Sequence, residues 1–264
     1  MELDINLTQS LEENASHYFE LAKKAKRKLA GAKKAVGDSR RKVEKLQSEE
    51  TKFWEEERKK EAERMQKAGR KREWYEKFHW FISSEGLLCI GGKDATSNDI
   101  IIKKHLDKND LVFHTEMAGS PFFIVKDGEQ ATGITYQEAA QATAVYSRAW
   151  KLGVSSADVF SVKPEQVSKE APAGEYIAKG GFMIYGRKTY YHPRLEYALG
   201  LREGQMIAGP ESAVKKQTAN YLIILPGDEG KGELAKKIRH KLGGGDLDDI
   251  QKFLPAGGGE VRKN

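Results

Sequence analysis

The residues able to do chemistry in this 264-residue chain are few and scattered. His114 stands just before Glu116, and Asp94 and Asp99 lie upstream. Brought into one cleft, these four would supply an acid and a base for acting on a nucleic acid. A lone strand histidine is more often a core or surface residue, so only convergence in space would raise His114 above that. Gly91-Gly92-Lys93-Asp94 suggests a phosphate loop, yet the Walker pattern fails both at the spacing from Gly86 and at Asp94. Ser120, in Ala118-Gly119-Ser120-Pro121, lacks a nucleophile elbow and reads as a turn. Cys89 is the only cysteine, and the six histidines show no metal-ligand spacing. No disulfide, metal or cofactor is expected, and no catalytic residue is assigned.

Charge is a stronger signal than any catalytic constellation. From Glu20 to Lys45 there are eleven Lys or Arg against three acids, a net +8, while the whole chain carries +6. The solvated face of an ordinary coiled coil carries mixed signs. A one-signed rod is the electrostatic footprint of phosphate binding. A second signal is aromatic residues beside cations: Trp80, Tyr146-Ser147-Arg148-Ala149-Trp150-Lys151, Val162-Lys163-Pro164 and Tyr190-Tyr191. That combination serves stacked bases and backbone phosphates, although aromatics at helical spacing are more often core.

The elements that must carry these residues follow from periodicity. Apolar or small residues recur in steps of four and three from Leu11 through Ala15, Tyr18, Ala22, Ala25, Leu29, Ala32, Val36, Val43 and Leu46 to Phe53, interrupted at Ser39 and Glu50. This a/d seam predicts a long coiled-coil helix. Gly31 and Gly37 weaken it, and a bend or hairpin at Gly37-Asp38 is the competing picture; continuity is preferred because the seam resumes in phase at Val43. Alanine-rich seams bury little area, so the helix needs a partner helix. Residues 55–77 are almost wholly charged and read as a helical linker.

From Phe78 the texture changes to short apolar runs. Phe78–Ile82 and Leu87–Ile90 read as strands around a turn. Thr96-x-x-Asp99 predicts a helix start running through Leu106, and Thr135-x-x-Glu138 a capping box for a helix reaching Trp150. Leu111–Thr115, Phe122–Val125, Asp158–Val162 and Phe182–Tyr191, turning at Gly186-Arg187-Lys188, read as strands. A smaller α/β unit then carries strands near Leu195–Leu199 and Asn220–Leu225, a short helix after Gly209-Pro210, and a helix at Glu233–Leu242. Asp246-x-x-Asp249 caps a last helix ending at Pro255, and Gly257-Gly258-Gly259 opens a frayed tail. The expected fold class is α+β: a coiled-coil arm and linker (1–77), a mixed, largely antiparallel domain (78–192) and a small C-terminal unit (193–264). The longest stretch without Asp, Glu, Lys or Arg is far shorter than the roughly 20 apolar residues a membrane helix needs. The start of the chain lacks a secretory pattern. A cytoplasmic location is expected.

Residues 77–128 resemble the RNA-binding domain of NFACT proteins, the family of RqcH and NEMF. The resemblance lies in Trp80-Phe81-Ile82-Ser83-Ser84, Gly91-Gly92-Lys93-Asp94-Ala95, Asn98-Asp99 and Asp110 to His114. It continues through Ala139-Ala140-Gln141, Tyr146 to Trp150, Val162 to Lys169, Gly174-Glu175-Tyr176 and Phe182-Met183-Ile184. Upstream, Asp4-Ile5-Asn6-Leu7, Glu13-Asn14-Ala15 and Tyr18-Phe19 resemble the start of the family's second coiled-coil arm. Glu116-Met117-Ala118-Gly119 departs from the more polar loop of many members.

The resemblance looks archaeal and implies a C-terminal portion of a ribosome-associated quality-control factor. Such a factor recognises large ribosomal subunits obstructed by peptidyl-tRNA and recruits tRNA for tailing of stalled chains. Expected partners are rRNA of the large subunit, tRNA, and the first coiled-coil arm of an N-terminal half, with a homodimer through the seam as another pairing. The expected RNA-binding residues are Lys23, Lys24, Lys26, Arg27, Lys28, Lys33 and Lys34 on the rod. On the globular part they are Trp80, Lys93, Asn98, Lys103, Lys104, His114, Arg148, Lys163 and Lys169. The rival readings are a nucleic-acid-processing enzyme built on His114, Glu116, Asp94 and Asp99, and an oligomerisation scaffold.

Overall fold

A computed structural model describes residues 4–8, 10–67, 73–170 and 177–262. Gly174-Glu175-Tyr176 and residues 68–72 of the charged run lie outside the described residues. The chain divides into two compact units, Met1–Arg72 and Glu73–Asn264.

The first unit is built on one helix, α1 (Leu11–Lys67), continuous through Gly31 and Gly37. At 1.5 Å per residue it is about 85 Å long. Ser10 starts it with a reciprocal pair: the Glu13 backbone N–H donates to Ser10 Oγ, and the Ser10 N–H donates to Glu13 Oε2. Asn14 is buried, donates through Nδ2 to the carbonyls of Asn6 and Ser10, and accepts the Asn6 N–H. The Tyr18 hydroxyl donates to Asp4 O at 2.5 Å. The upstream motif residues thus fold the entering segment back on the helix. Seam residues Leu11, Leu29, Val36, Val43 and Leu46 stand exposed.

The second unit opens with strands β1 (His79–Ile82) and β2 (Leu88–Gly91), paired His79 to Gly91 and Ile82 to Leu88. Helix α2 (Ala95–Ile100) passes into a single π-turn, Ile101–His105. Strands β3 (Leu111–Thr115) and β4 (Phe123–Val125) precede α3 (Gly133–Val145) and the short α4 (Arg148–Lys151). Next come β5 (Val159–Val162), β6 (Val167–Ser168), β7 (Met183–Ile184) and β8 (Thr189–Tyr191). The first sheet has the order β1-β2-β4-β3-β5-β8, every pairing antiparallel, and β6 with β7 forms a separate ribbon.

A second antiparallel sheet runs β10-β9-β11-β12, from β9 (Tyr197–Arg202), β10 (Gln205–Gly209), β11 (Tyr221–Glu229) and β12 (Gly259–Val261). Helices α5 (Glu211–Gln217), α6 (Lys231–Leu242) and α7 (Leu247–Phe253) accompany it. The architecture is α+β, with a long N-terminal helix.

Period-two alternation places the first sheet between two cores. Phe81, Cys89, Phe113, Phe123 and Val125 face α3 and join Tyr197, Leu199, Leu234, Ile238 and Ile250 in one cluster. Ile90, Val112, Ile124, Phe160 and Val162 face the other way, with Phe78, Ile101 and Phe122. Packing is therefore continuous across residue 193.

Several local expectations differ from the fold. Asp94, not Thr96, caps α2, two residues earlier, because its carboxylate accepts the Ser97 N–H while Ser97 Oγ accepts the Asp94 N–H. Thr132 caps α3, and Glu138 is instead buried, accepting from the Ser84 N–H and the Ser212 hydroxyl. The helix stops at Tyr146, and Ser147 caps a new one, so Trp150 is core and unavailable for stacking on RNA. The two halves of Phe182–Tyr191 pair with different strands, β6 and β5. The glycine run at 257–259 leads into β12, and Trp150 Nε1 donates to Gly258 O at 2.8 Å.

Candidate nucleic-acid interface

Two surfaces on separate units carry the expected RNA-binding residues. On α1 the seven cations Lys23, Lys24, Lys26, Arg27, Lys28, Lys33 and Lys34 are all exposed. Only Lys23 has an ion-pair partner among the described residues, Glu20 at 3.5 Å, and an exposed pair of that kind contributes little. The helix thus offers a dense run of exposed cations, six of the seven without an ion-pair partner among the described residues, to any polyanion.

On the compact unit the Gly91-Gly92-Lys93-Asp94 segment is shaped by close approach. A Cβ on Gly91 would lie 2.2 Å from the Phe123 ring, and one on Gly92 only 1.9 Å from Asn98 Oδ1. No side chain fits either place. The turn delivers Asp94 to the N-terminus of α2, where its carboxylate accepts the Ser97 N–H at 2.7 Å. Ser97 Oγ accepts the Lys93 N–H at 2.7 Å, which orients the lysine. Lys93 is exposed at the surface, yet partial desolvation of its ammonium, and then the charge of Lys252, push its pKa down to about 8 against the pull of Asp94.

Asn98, His114 and Lys169 serve the fold. Asn98 is buried; Oδ1 accepts the Phe122 N–H at 3.0 Å and Nδ2 reaches Ser120 O at 3.4 Å. His114 stacks on Phe122 at 3.9 Å and places Nδ1 2.8 Å from Pro121 O, so the neutral ring donates there. Burial pushes its pKa down to about 4, outweighing the Pro121 carbonyl and Glu116. Lys169 donates to Asp99 Oδ1 at 3.1 Å and Gly181 O at 2.9 Å, and lies 4.5 Å from the Phe182 ring centroid. Trp80 is half-buried between Tyr75 and Phe253 and presents no open platform.

Lys103, Lys104, Lys163 and Arg148 remain exposed. Lys103 sits 3.7 Å from Asp99 and Lys163 3.6 Å from Glu129, distances at which either is readily surrendered to a phosphate. The acid/base set does not act as one group. Asp94 caps α2, Asp99 holds Lys169 and the Gly180 N–H, and Glu116 accepts from Lys188 at 2.7 Å and Tyr190 at 3.0 Å. Lys188 first, together with Tyr190, keeps the Glu116 pKa below the ordinary carboxylate value. Among the described residues no group of three His, Cys, Asp or Glu is placed to hold a metal, and no described helix is long and apolar enough to cross a membrane.

The charge of Lys252 acts on Lys93 and that of Lys231 on His79, and sequence reasoning misses both. They come from α6 and α7, more than a hundred residues away, and no local pattern links them. Tyr185 and Tyr190, flanking the Gly186-Arg187-Lys188 turn, are the exposed tyrosines among the described residues of the unit, and Lys188 Nζ lies 4.2 Å from the Phe160 ring centroid.

The compact unit is thus an α+β domain built on antiparallel sheets with cations on its loops, on a chain that also holds a basic helix. Residues 77–186 match the family described as NFACT protein RNA binding domain. The chain is 40% identical over 202 residues to the archaeal Rqc2 homolog aRqcH of Methanocaldococcus jannaschii, covering 74% of this chain and 30% of that protein. It is 36% identical over 201 residues to the ribosome quality control complex subunit NEMF homolog of Drosophila melanogaster, covering 75% of this chain and 20% of that one. Against the human subunit NEMF it is 36% identical over 186 residues, 68% of this chain and 16% of the relative. The chain belongs to the NFACT family, and spans under a third of the length of these relatives.

Proposed function

We propose that this chain is the RNA- and ribosome-binding part of a ribosome-associated quality-control factor, which engages large subunits obstructed by peptidyl-tRNA and recruits tRNA for tailing of the stalled chain. The observation that carries this reading is the run of exposed, one-signed cations on α1, on a chain that also holds the NFACT RNA-binding domain. In this reading Lys23, Lys24, Lys26, Arg27, Lys28, Lys33 and Lys34 meet rRNA phosphates. Lys93, Lys103, Lys104, Arg148 and Lys163 contact tRNA or rRNA from the compact unit. The protein positions RNA, and peptide-bond chemistry belongs to the ribosome.

The exposed seam Leu11, Leu29, Val36, Val43 and Leu46 supports a helical partner. We assign it to the first coiled-coil arm of the N-terminal half, with self-pairing as the outcome when that arm is missing. Cosedimentation with purified large subunits, bare or retaining peptidyl-tRNA, tests the reading. Preferential pelleting with the obstructed particles supports it, and equal pelleting with both assigns recognition to other parts of the factor.

A further inference from the structure

The turn that joins β7 to β8 is built to display its side chains. Gly186 stands at φ +77°, a left-handed conformation that favours glycine. Gln166 commits its whole amide to this corner: Nε2 donates to Tyr185 O at 2.7 Å and to Arg187 O at 2.9 Å, while Oε1 accepts the Lys163 N–H at 2.9 Å. One half-buried side chain thus fixes the backbone of Arg187 beside that of Lys163, the residue that follows β5. Arg187 is exposed and has no ion-pair partner among the described residues.

Tyr190, on the edge strand β8, is held along its ring. Register sets it opposite Phe160, with ring centroids 6.1 Å apart at 65°. Its hydroxyl donates to Glu116 Oε1 at 3.0 Å, the same oxygen that takes Lys188 Nζ at 2.7 Å, and that ammonium lies 4.2 Å from the Phe160 centroid. Lys188 neutralises the Glu116 carboxylate, so the free charge of the turn is that of Arg187. Beyond Phe160 the aromatic packing continues to His114, 6.1 Å away at 80°, and from there to Phe122. The Tyr190 ring is therefore positioned from one side, yet the residue is 50% exposed. A clamped aromatic side chain with an open side loses little conformational freedom on binding, and beside a free guanidinium it suits a base and its phosphate.

We propose that Tyr190 is a stacking platform for one unpaired base of single-stranded RNA, with Arg187 taking the adjoining phosphate. The RNA occupant rests on the function proposed above. Binding of the intact chain to labelled oligoadenylate is measured by fluorescence anisotropy across a salt series, with tRNA in parallel. Tyr190→Leu is expected to weaken oligoadenylate binding by about tenfold or more, the contribution of one stacked base, without changing the salt slope. Tyr190→Phe keeps the ring and its packing on Phe160 and is expected to bind as the parent does, with unchanged thermal midpoints in both variants reporting intact folds. Arg187→Gln, a change at an exposed side chain, is expected to flatten the slope by about 0.7, the value for one single-strand phosphate left unneutralised. Parent-like affinity in Tyr190→Leu, equal losses in the leucine and phenylalanine variants, or a parent chain that binds tRNA but not oligoadenylate overturns the platform and leaves the RNA-binding reading standing. An unchanged slope in Arg187→Gln overturns the phosphate contact. A parent chain that binds neither RNA overturns the platform and the RNA-binding reading together.

Discussion

Asn98 separates a structural role from a binding role most cleanly. The side chain is 7% exposed, and its Oδ1 is the acceptor for the Phe122 N–H at 3.0 Å. Asn98→Ala leaves that buried N–H without an acceptor, a loss of about 1–3 kcal/mol. The 3.4 Å approach to Ser120 O adds little. With a denaturant slope of about 2 kcal/mol per molar urea, a loss of about 2 kcal/mol moves the unfolding midpoint down by about 1 M. Fluorescence of the buried Trp150 reports the transition. The salt dependence of tRNA affinity, measured well below that midpoint, is expected to stay as in the parent. A midpoint shift under about 0.3 M combined with a flatter salt slope would refute this reasoning and return Asn98 to the RNA-binding residues.

Gly92→Ala is expected to destabilise by more than about 2 kcal/mol, because its Cβ would overlap Asn98 Oδ1, and urea melts will read this. Gly133→Ala, at the first turn of α3 with nothing within 4 Å, is expected to be neutral or stabilising by up to about 1 kcal/mol. His114 has a folded pKa of about 4, against roughly 6.5 when unfolded. Between those values the unfolded state binds the extra proton, so stability falls on acidification through this window, by up to about 3 kcal/mol for this residue. His79 acts in the same direction. Melts of His114→Phe from pH 7 to pH 4 are expected to lose part of that slope; an unchanged slope would contradict the buried neutral ring.

The long helix was legible because its signal is local and repeats: the seam from Leu11 to Phe53 keeps its phase across Gly31 and Gly37. The first hairpin and the Asp246 cap were legible for the same reason. The errors came where one residue type serves two purposes. Thr135 and Glu138 have capping-box spacing, yet Glu138 is consumed by Ser84 and Ser212, partners 54 and 74 residues distant in sequence. Gly257-Gly258-Gly259 has the composition of a tail, yet a Cβ on Gly258 would lie 2.2 Å from Gly227 O, and one on Gly259 would lie 2.9 Å from Leu234 Cδ2. These glycines are the condition for β12 to pair. Candidate binding residues divided in the same way: exposure of the α1 cations follows from their position on a helix, whereas the capture of Asn98, His114 and Lys169 by the fold depends on partners that no motif announces.

The central claim is that α1 binds RNA through its phosphates. The most direct test is tRNA affinity across a salt series for the parent chain and for Lys23→Glu/Lys24→Glu/Arg27→Glu/Lys28→Glu, with circular dichroism confirming the helix in both. With four phosphates no longer neutralised, the log–log slope is expected to flatten by about 3. An unchanged slope in the variant, or no binding by the parent near physiological salt, would contradict that claim.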